Sequence, residues 1–187
     1  ACMALARALD FPMLVRVGDA SLREILQALD LGAAGIVVPH VDSVEKAVDT
    51  AKSARYGLHG RGYAGSSRRA GYATQAMPDL LQRSKDETVV VAQIEEPSGV
   101  DIVDHFAQVW GIDGLFLGPA DLSVGYGFDH QTSPELFAAL ERCGKAAKNN
   151  GKAYMTFVPD AEKAAEWQKY GLSMFFVSSE HNWMRAG

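Results

Sequence analysis

The stretch TVVVAQIEEPSGVDIVDHFAQVWGIDGLFLGPADLS, residues 88–123, decides the fold. Two runs, Thr88 to Ile94 and Asp113 to Leu117, are nearly all apolar. A segment of helical length and pattern, Pro97 to Trp110, joins them. Strands of a parallel sheet are covered by helices on both faces, so they lose the polar alternation of a half-wet strand.

Working outward, the same alternation repeats. Upstream, Leu14 to Val17 is a short run interrupted by Arg16, and a helix over Leu22 to Leu29 follows, opened by the pair Ser21 and Glu24. Gly32 suits the left-handed position after its last turn. Ala34 to Val38 is the next strand, then a helix capped by Asp42 and ending near Arg55, then the polar loop GLHGRGYAGSSRRAGYATQ, residues 57–75. Downstream, Ser133-Pro134-Glu135 starts a helix that ends at Gly151. Ala153 to Val158 is a strand, Asp160 to Tyr170 a helix and Ser173 to Val177 a last strand. Trp110, Trp167 and Trp183 fall on helical segments and read as packing residues.

Six strand–helix units with no long linker predict one domain over residues 1–187, built on a parallel sheet with right-handed crossovers. Either an open doubly wound sheet or a TIM (β/α)8 barrel accommodates them. No GxGxxG follows the first strand, which disfavours dinucleotide binding. A whole barrel takes about 250 residues. Helical residues before the first strand suit a barrel lacking its first two units. The opening ACMALARALD reads as the inside of a helix, so the chain is expected to begin in mid-element.

Composition removes other classes. Hydrophobic residues at 48% and charged residues at 22% exclude a disordered chain. With 18 Lys+Arg against 23 Asp+Glu and no basic block, nucleic acid is not an expected partner. No apolar run reaches the roughly 20 residues of a membrane span. Cys2 and Cys143 make neither a disulfide framework nor a CxxC, which points to a reducing, cytoplasmic setting.

In both architectures ligands gather at the carboxyl ends of the strands. Glu95 and Asp121 each end or closely follow an apolar strand, about one unit apart. Two such carboxylates can hold one hard divalent cation, with waters completing its shell. Carboxylates at such junctions also cap helices, so the spacing leaves both readings open. Arg61 lies between Gly60 and Gly62, where backbone can approach a ligand closely and a guanidinium suits an oxyanion. A solvated loop arginine is the alternative. The turn Gly118-Pro119-Ala120-Asp121 and Ser123 offers backbone N–H groups to a carboxylate. His40 is a candidate base.

These residues carry a family resemblance. VAQIEEPSGV (91–100) followed by DGLFLGPADLSVGYG (113–127) resembles the metal-dependent class II pyruvate aldolases of the HpcH/HpaI type. Residues 14–57, the arginine loop GRGYAGSSRRAGY (60–72), GKAYMTFVPD (151–160) and FFVSSEHNWMRAG (175–187) extend the resemblance over nearly the whole chain. It implies a TIM barrel that cleaves 4-hydroxy-2-oxo acids to pyruvate and an aldehyde, or runs in reverse, through a metal-stabilised enolate. It implies Glu95 and Asp121 as ligands of Mg²⁺, Mn²⁺ or Co²⁺, and Arg61 as the arginine that binds the substrate oxygens. Gln93 becomes a glutamine lining the site, and Gly118, Pro119, Ala120, Asp121 and Ser123 become the substrate cradle. A small 2-oxo acid is the expected partner, and a homo-oligomer the expected assembly. No lysine falls at a strand end, which disfavours a Schiff-base aldolase.

The chain departs from the family pattern by lacking the opening two units, whose loop carries the family's catalytic histidine and a paired acid. His40 is then the surrogate base. The stretch before Gly60 also lacks prolines found in many relatives. A related acyl-CoA lyase of the citrate-lyase β type, and an inactive metal-binding fragment, are the competing functions. The strands at Val15 and Phe176 are expected to flank the gap. The missing strands, another subunit, or closure of the two edges into a smaller barrel would cover it.

Overall fold

A computed structural model describes residues 2–187. The helical reading of residues 1–10 holds for α1 (Cys2–Ala8), while its first position, Ala1, lies outside the described residues. Six strands follow in chain order: β1 (Leu14–Arg16), β2 (Gly35–Val38), β3 (Val89–Ile94), β4 (Gly114–Leu117), β5 (Ala153–Val158) and β6 (Met174–Val177). All pairs are parallel, and the order in the sheet is the order in the chain. A doubly wound sheet reverses its strand order at a switch point. This sheet never reverses, so it is an arc of a TIM-type barrel. Among the described residues β1 and β6 do not pair, so of the three ways to cover the gap, closure of the two edges into a smaller barrel does not occur.

Strand parity sorts the core into two layers. Ile36, Val38, Val90, Ala92, Ile94, Leu115, Leu117, Tyr154 and Val158 point outward into the main cluster beneath the helices. Val37, Val91, Phe116 and Met155 point to the concave inner face and form a second, small cluster with Leu14, Val89 and Phe176 against it. Phe116 and Phe176 meet edge to face, with ring centroids 5.2 Å apart.

The helices return the chain to the amino ends of the strands. They are α2 (Leu22–Asp30), α3 (Val44–Ala54), α4 (Met77–Glu87), α5 (Pro97–Asp101), α6 (Val103–Gln108), α7 (Pro119–Gly125), α8 (Pro134–Asn149), α9 (Ala161–Trp167) and α10 (Glu180–Ala186). Ser21 caps α2 through Glu24 N, and Gly32 takes a φ of 101° after its end. Ser43, rather than the expected Asp42, caps α3 by accepting from Lys46 N. Helix α4 was not expected. Leu80 and Ser84, one turn apart, are its buried residues, too narrow a stripe for a periodic signal. The expected helix over 97–110 is two helices. Ile102 N and His105 N each reach back three residues, a tight turn that breaks the α ladder. Trp167 is buried in the core, whereas Trp110 and Trp183 are exposed and do not pack. No described helix is long and apolar enough to cross a membrane.

Candidate functional site

Parity also decides which polar side chains reach the concave face. Arg16 on β1 and Gln93 on β3 share it with Val37 and Val91, and Glu95 continues the Gln93 row just past the strand. All three stand at the carboxyl end, above the apolar layer.

A chain of hydrogen bonds joins them. Arg16 Nε donates to Gln93 Oε1 at 3.2 Å, and Gln93 Nε2 donates to Glu95 Oε2 at 2.7 Å. Glu95 Oε1 accepts from the backbone N–H of His40 at 2.9 Å. A guanidinium only donates and a carboxylate only accepts. The two ends therefore fix which way the Gln93 amide points. Backbone bonds hold the strand ends together, Val41 N to Gln93 O and Gly118 N to Ile94 O, each 3.0 Å.

Glu95 is 2% exposed. Burial raises its carboxyl above the ordinary glutamate range, and the nearby charge of Asp121 adds to this. The His40 N–H, the His40 imidazole and Arg16 act against it. Glu95 caps no helix: Glu96 takes the cap position of α5 and makes no side-chain bond there. The capping alternative for Glu95 is thereby removed. Asp121 is exposed in the first turn of α7, beyond the adjacent strand.

Gly118 keeps the space beside Glu95 open. A Cβ there would lie 3.0 Å from Glu95 Cβ and 3.2 Å from Glu95 Oε2. With one donor on each Glu95 oxygen, further lone pairs stay available. The Asp121 carboxylate is exposed and near enough for its charge to act on Glu95, and hard carboxylate oxygens are the donors that suit a divalent cation. Among the described residues no group of three or more His, Cys, Asp or Glu could hold a metal ion.

His40 belongs to the same rim. It takes a left-handed φ of 52°, which aims its N–H at Glu95. Its Nδ1 lies 2.6 Å from Glu96 Oε1 and 3.1 Å from Glu95 Oε1, and the ring is half exposed. Ala120 is exposed, and Pro119 is buried as the first residue of α7.

Two expected site residues are elsewhere. Arg61 is buried at the amino ends of the strands, where it pairs with Asp30, the last residue of α2, and lies 4.5 Å over the Tyr56 ring. It therefore cannot meet a ligand held by Glu95. Gly60 is small for the chain's own sake, since a Cβ would sit 2.5 Å from Arg55 O. Ser123 is also withdrawn: its hydroxyl is buried and donates to Pro119 O at 2.8 Å inside α7. The arginine that does reach the site is Arg16, which the sequence shows only as a break in an apolar run. The alternation Leu14-Val15-Arg16 was its signal, too brief to read within three residues.

A family model described as HpcH/HpaI aldolase/citrate lyase matches residues 1–184. The chain is 33% identical over 158 residues to a 5-keto-4-deoxy-D-glucarate aldolase from Enterobacter sp., covering 83% of this chain and 61% of the relative. It is 34% identical over 170 residues to a hydroxypyruvate/pyruvate aldolase from Delftia acidovorans, covering 90% and 62%. It thus spans about three-fifths of the length of these two relatives. A solved HpcH/HpaI aldolase from Desulfitobacterium hafniense superposes with a TM-score of 0.90 at 27% identity, over 98% of this chain and 72% of that one.

Proposed function

Because the chain belongs to the HpcH/HpaI aldolase/citrate lyase family, we propose that it forms the pyruvate-handling part of a carbon–carbon lyase. The substrate class is 4-hydroxy-2-oxo acids, cleaved to pyruvate and an aldehyde or formed in reverse. The observation that supports this best is the hydrogen-bonded row Arg16–Gln93–Glu95 beside Asp121 at the carboxyl end of the sheet.

Glu95 and Asp121 would hold a divalent ion, Mg²⁺, Mn²⁺ or Co²⁺. Bound there, it supplies Lewis acidity toward the 2-oxo acid. Arg16 presents a fixed cation to the substrate's oxygens, and its planar fork suits a carboxylate or a developing oxyanion. Gln93 holds the guanidinium and Glu95 in one register. The first-turn amides of Ala120 and Asp121, which have no intrahelical acceptor, are the cradle for the substrate carboxylate. His40 is the candidate for proton movement: Glu96 holds Nδ1, which leaves Nε2 to give or take the proton.

The test is pyruvate release from a 4-hydroxy-2-oxo acid with added Mg²⁺ or Mn²⁺, coupled to lactate dehydrogenase. Metal-dependent release that falls at least about a hundredfold in Arg16→Lys, as loss of a bidentate contact predicts, supports the reading. Equal turnover by Arg16→Lys removes it.

A further inference from the structure

A second polar centre lies at the other end of the strands, and it belongs to none of the machinery above. Phe11 and Met13 lead into β1, Gly32 and Ala34 into β2, and Glu87 into β3. Together they line a cavity of about 590 Å³, with Arg7, Arg69, Arg83 and Asp10 as its charged wall. Apart from Arg69, in the loop between α3 and α4, and Arg83, within α4, these residues precede strands or end helices, so the cavity opens at the amino ends.

Its deepest charge is Arg69, 4% exposed. Nη1 donates to Ala33 O at 3.2 Å and Nη2 to Thr88 Oγ1 at 3.3 Å. Both partners are neutral. The Nε–H has no acceptor among the described residues. The nearest carboxylate oxygen, on Glu87, is 3.9 Å away on a side chain more than half exposed. A buried guanidinium with no carboxylate in hydrogen-bond reach bears an uncompensated desolvation cost. Burial first, then the charges of Arg83 and Arg61, make Arg69 easier to deprotonate, and Glu87 and Tyr56 act against this.

The neighbours do not correct this. Arg61 takes Asp30 for itself. Arg83 Nε is 3.1 Å from Glu87 but out of line for a hydrogen bond. Around the cavity, Arg7, Arg69 and Arg83 face Asp10 and Glu87, a surplus of one positive charge with the buried member least matched.

We propose that this cavity is an anion site that takes the oxyanion group, carboxylate or phosphate, of a small molecule. Arg69 binds from the floor, Arg83 and Arg7 bind from the rim, and Phe11 and Met13 flank the ligand's apolar portion. Glu87 competes for the same guanidinium groups, so the site is tuned to moderate affinity. The site is independent of the reaction at Glu95 and stands on the opposite end of the sheet.

The experiment is isothermal titration calorimetry of the metal-free chain at low salt, with inorganic phosphate in one arm and acetate in the other. One equivalent should bind saturably. Arg83→Gln should weaken it about tenfold, the worth of one charge-assisted hydrogen bond. Glu87→Gln should tighten it, which a purely structural ion pair would not do. Arg16→Met, which removes the cation of the lyase site, should leave it unchanged and so separates the two sites. Tighter phosphate or tighter acetate names the source of the anion, and either supports the site. Absence of saturable heat in both arms overturns the proposal. So does binding that Arg16→Met abolishes and Arg83→Gln leaves intact.

Discussion

Gly118→Ala is the sharpest probe of the space beside Glu95. At Gly118 φ is −90° and ψ is 95°, so alanine meets no backbone strain. The conflict is steric. The new methyl would stand 3.0 Å from Glu95 Cβ, 3.2 Å from Glu95 Oε2 and 3.4 Å from Gln93 Nε2. Ordinary carbon contacts begin near 3.5 Å, so Glu95 and Gln93 must give by a few tenths of an ångström. Overpacking of this kind costs about 1–3 kcal/mol, while removing glycine's unfolded-state freedom returns about 0.4–1 kcal/mol. The net loss should be about 1–2 kcal/mol by urea unfolding. Metal affinity should fall much further, by about tenfold or more, because the displaced atoms include a proposed ligand oxygen. Calorimetric titration with Mn²⁺ beside the urea curves separates the two effects. An unchanged dissociation constant with the expected stability loss would refute the placement of the ligand at Glu95 Oε2.

Arg61→Met should leave turnover per folded molecule unchanged and lower stability by about 3 kcal/mol, the low end for a broken buried pair, since Asp30 keeps a 23% exposed side chain; urea midpoints and pyruvate release measure each part. The Cys143 thiol, buried and pushed up to about 12, should resist alkylation at pH 8, so a thiol count on the folded chain should find Cys2 alone. The raised carboxyl of Glu95 stabilises the fold fully below the ordinary glutamate range, and that contribution is lost as pH rises through its folded value. In chelator, the stability of Glu95→Gln relative to the parent chain should therefore increase from pH 4 to pH 7, as read by urea unfolding at each pH. Gln93→Leu should break the row between Arg16 and Glu95 and reduce kcat more than KM, because Gln93 positions groups rather than binding substrate.

The parallel strands were legible because their residues are apolar in unbroken runs. Val89 to Ile94 and Gly114 to Leu117 need no partner to be recognised. The places of Glu95 and Asp121, past the carboxyl ends of β3 and β4, were legible for the same reason, since each follows such a run. Arg61 misled because glycines on both sides look alike whether backbone makes room for a ligand or for Arg55 O. Arg16 was hidden by length: in a three-residue strand, parity is set by pairing with Val37 across the sheet, not by the strand itself. Ser123 looked free because its partner, Pro119 O, exists only once α7 forms. The cavity under Arg69 gathers segments from four parts of the chain, and no local pattern marks it.

The most direct measurement is Mn²⁺ binding to the chain by electron paramagnetic resonance, with and without oxalate, a planar dianion shaped like the enolate of pyruvate. One bound Mn²⁺ is predicted. Its affinity should fall in Glu95→Gln and in Asp121→Asn and rise with oxalate, and Arg16→Met should lose the oxalate enhancement alone. Mn²⁺ binding indifferent to both carboxylate substitutions would contradict the assignment of the site.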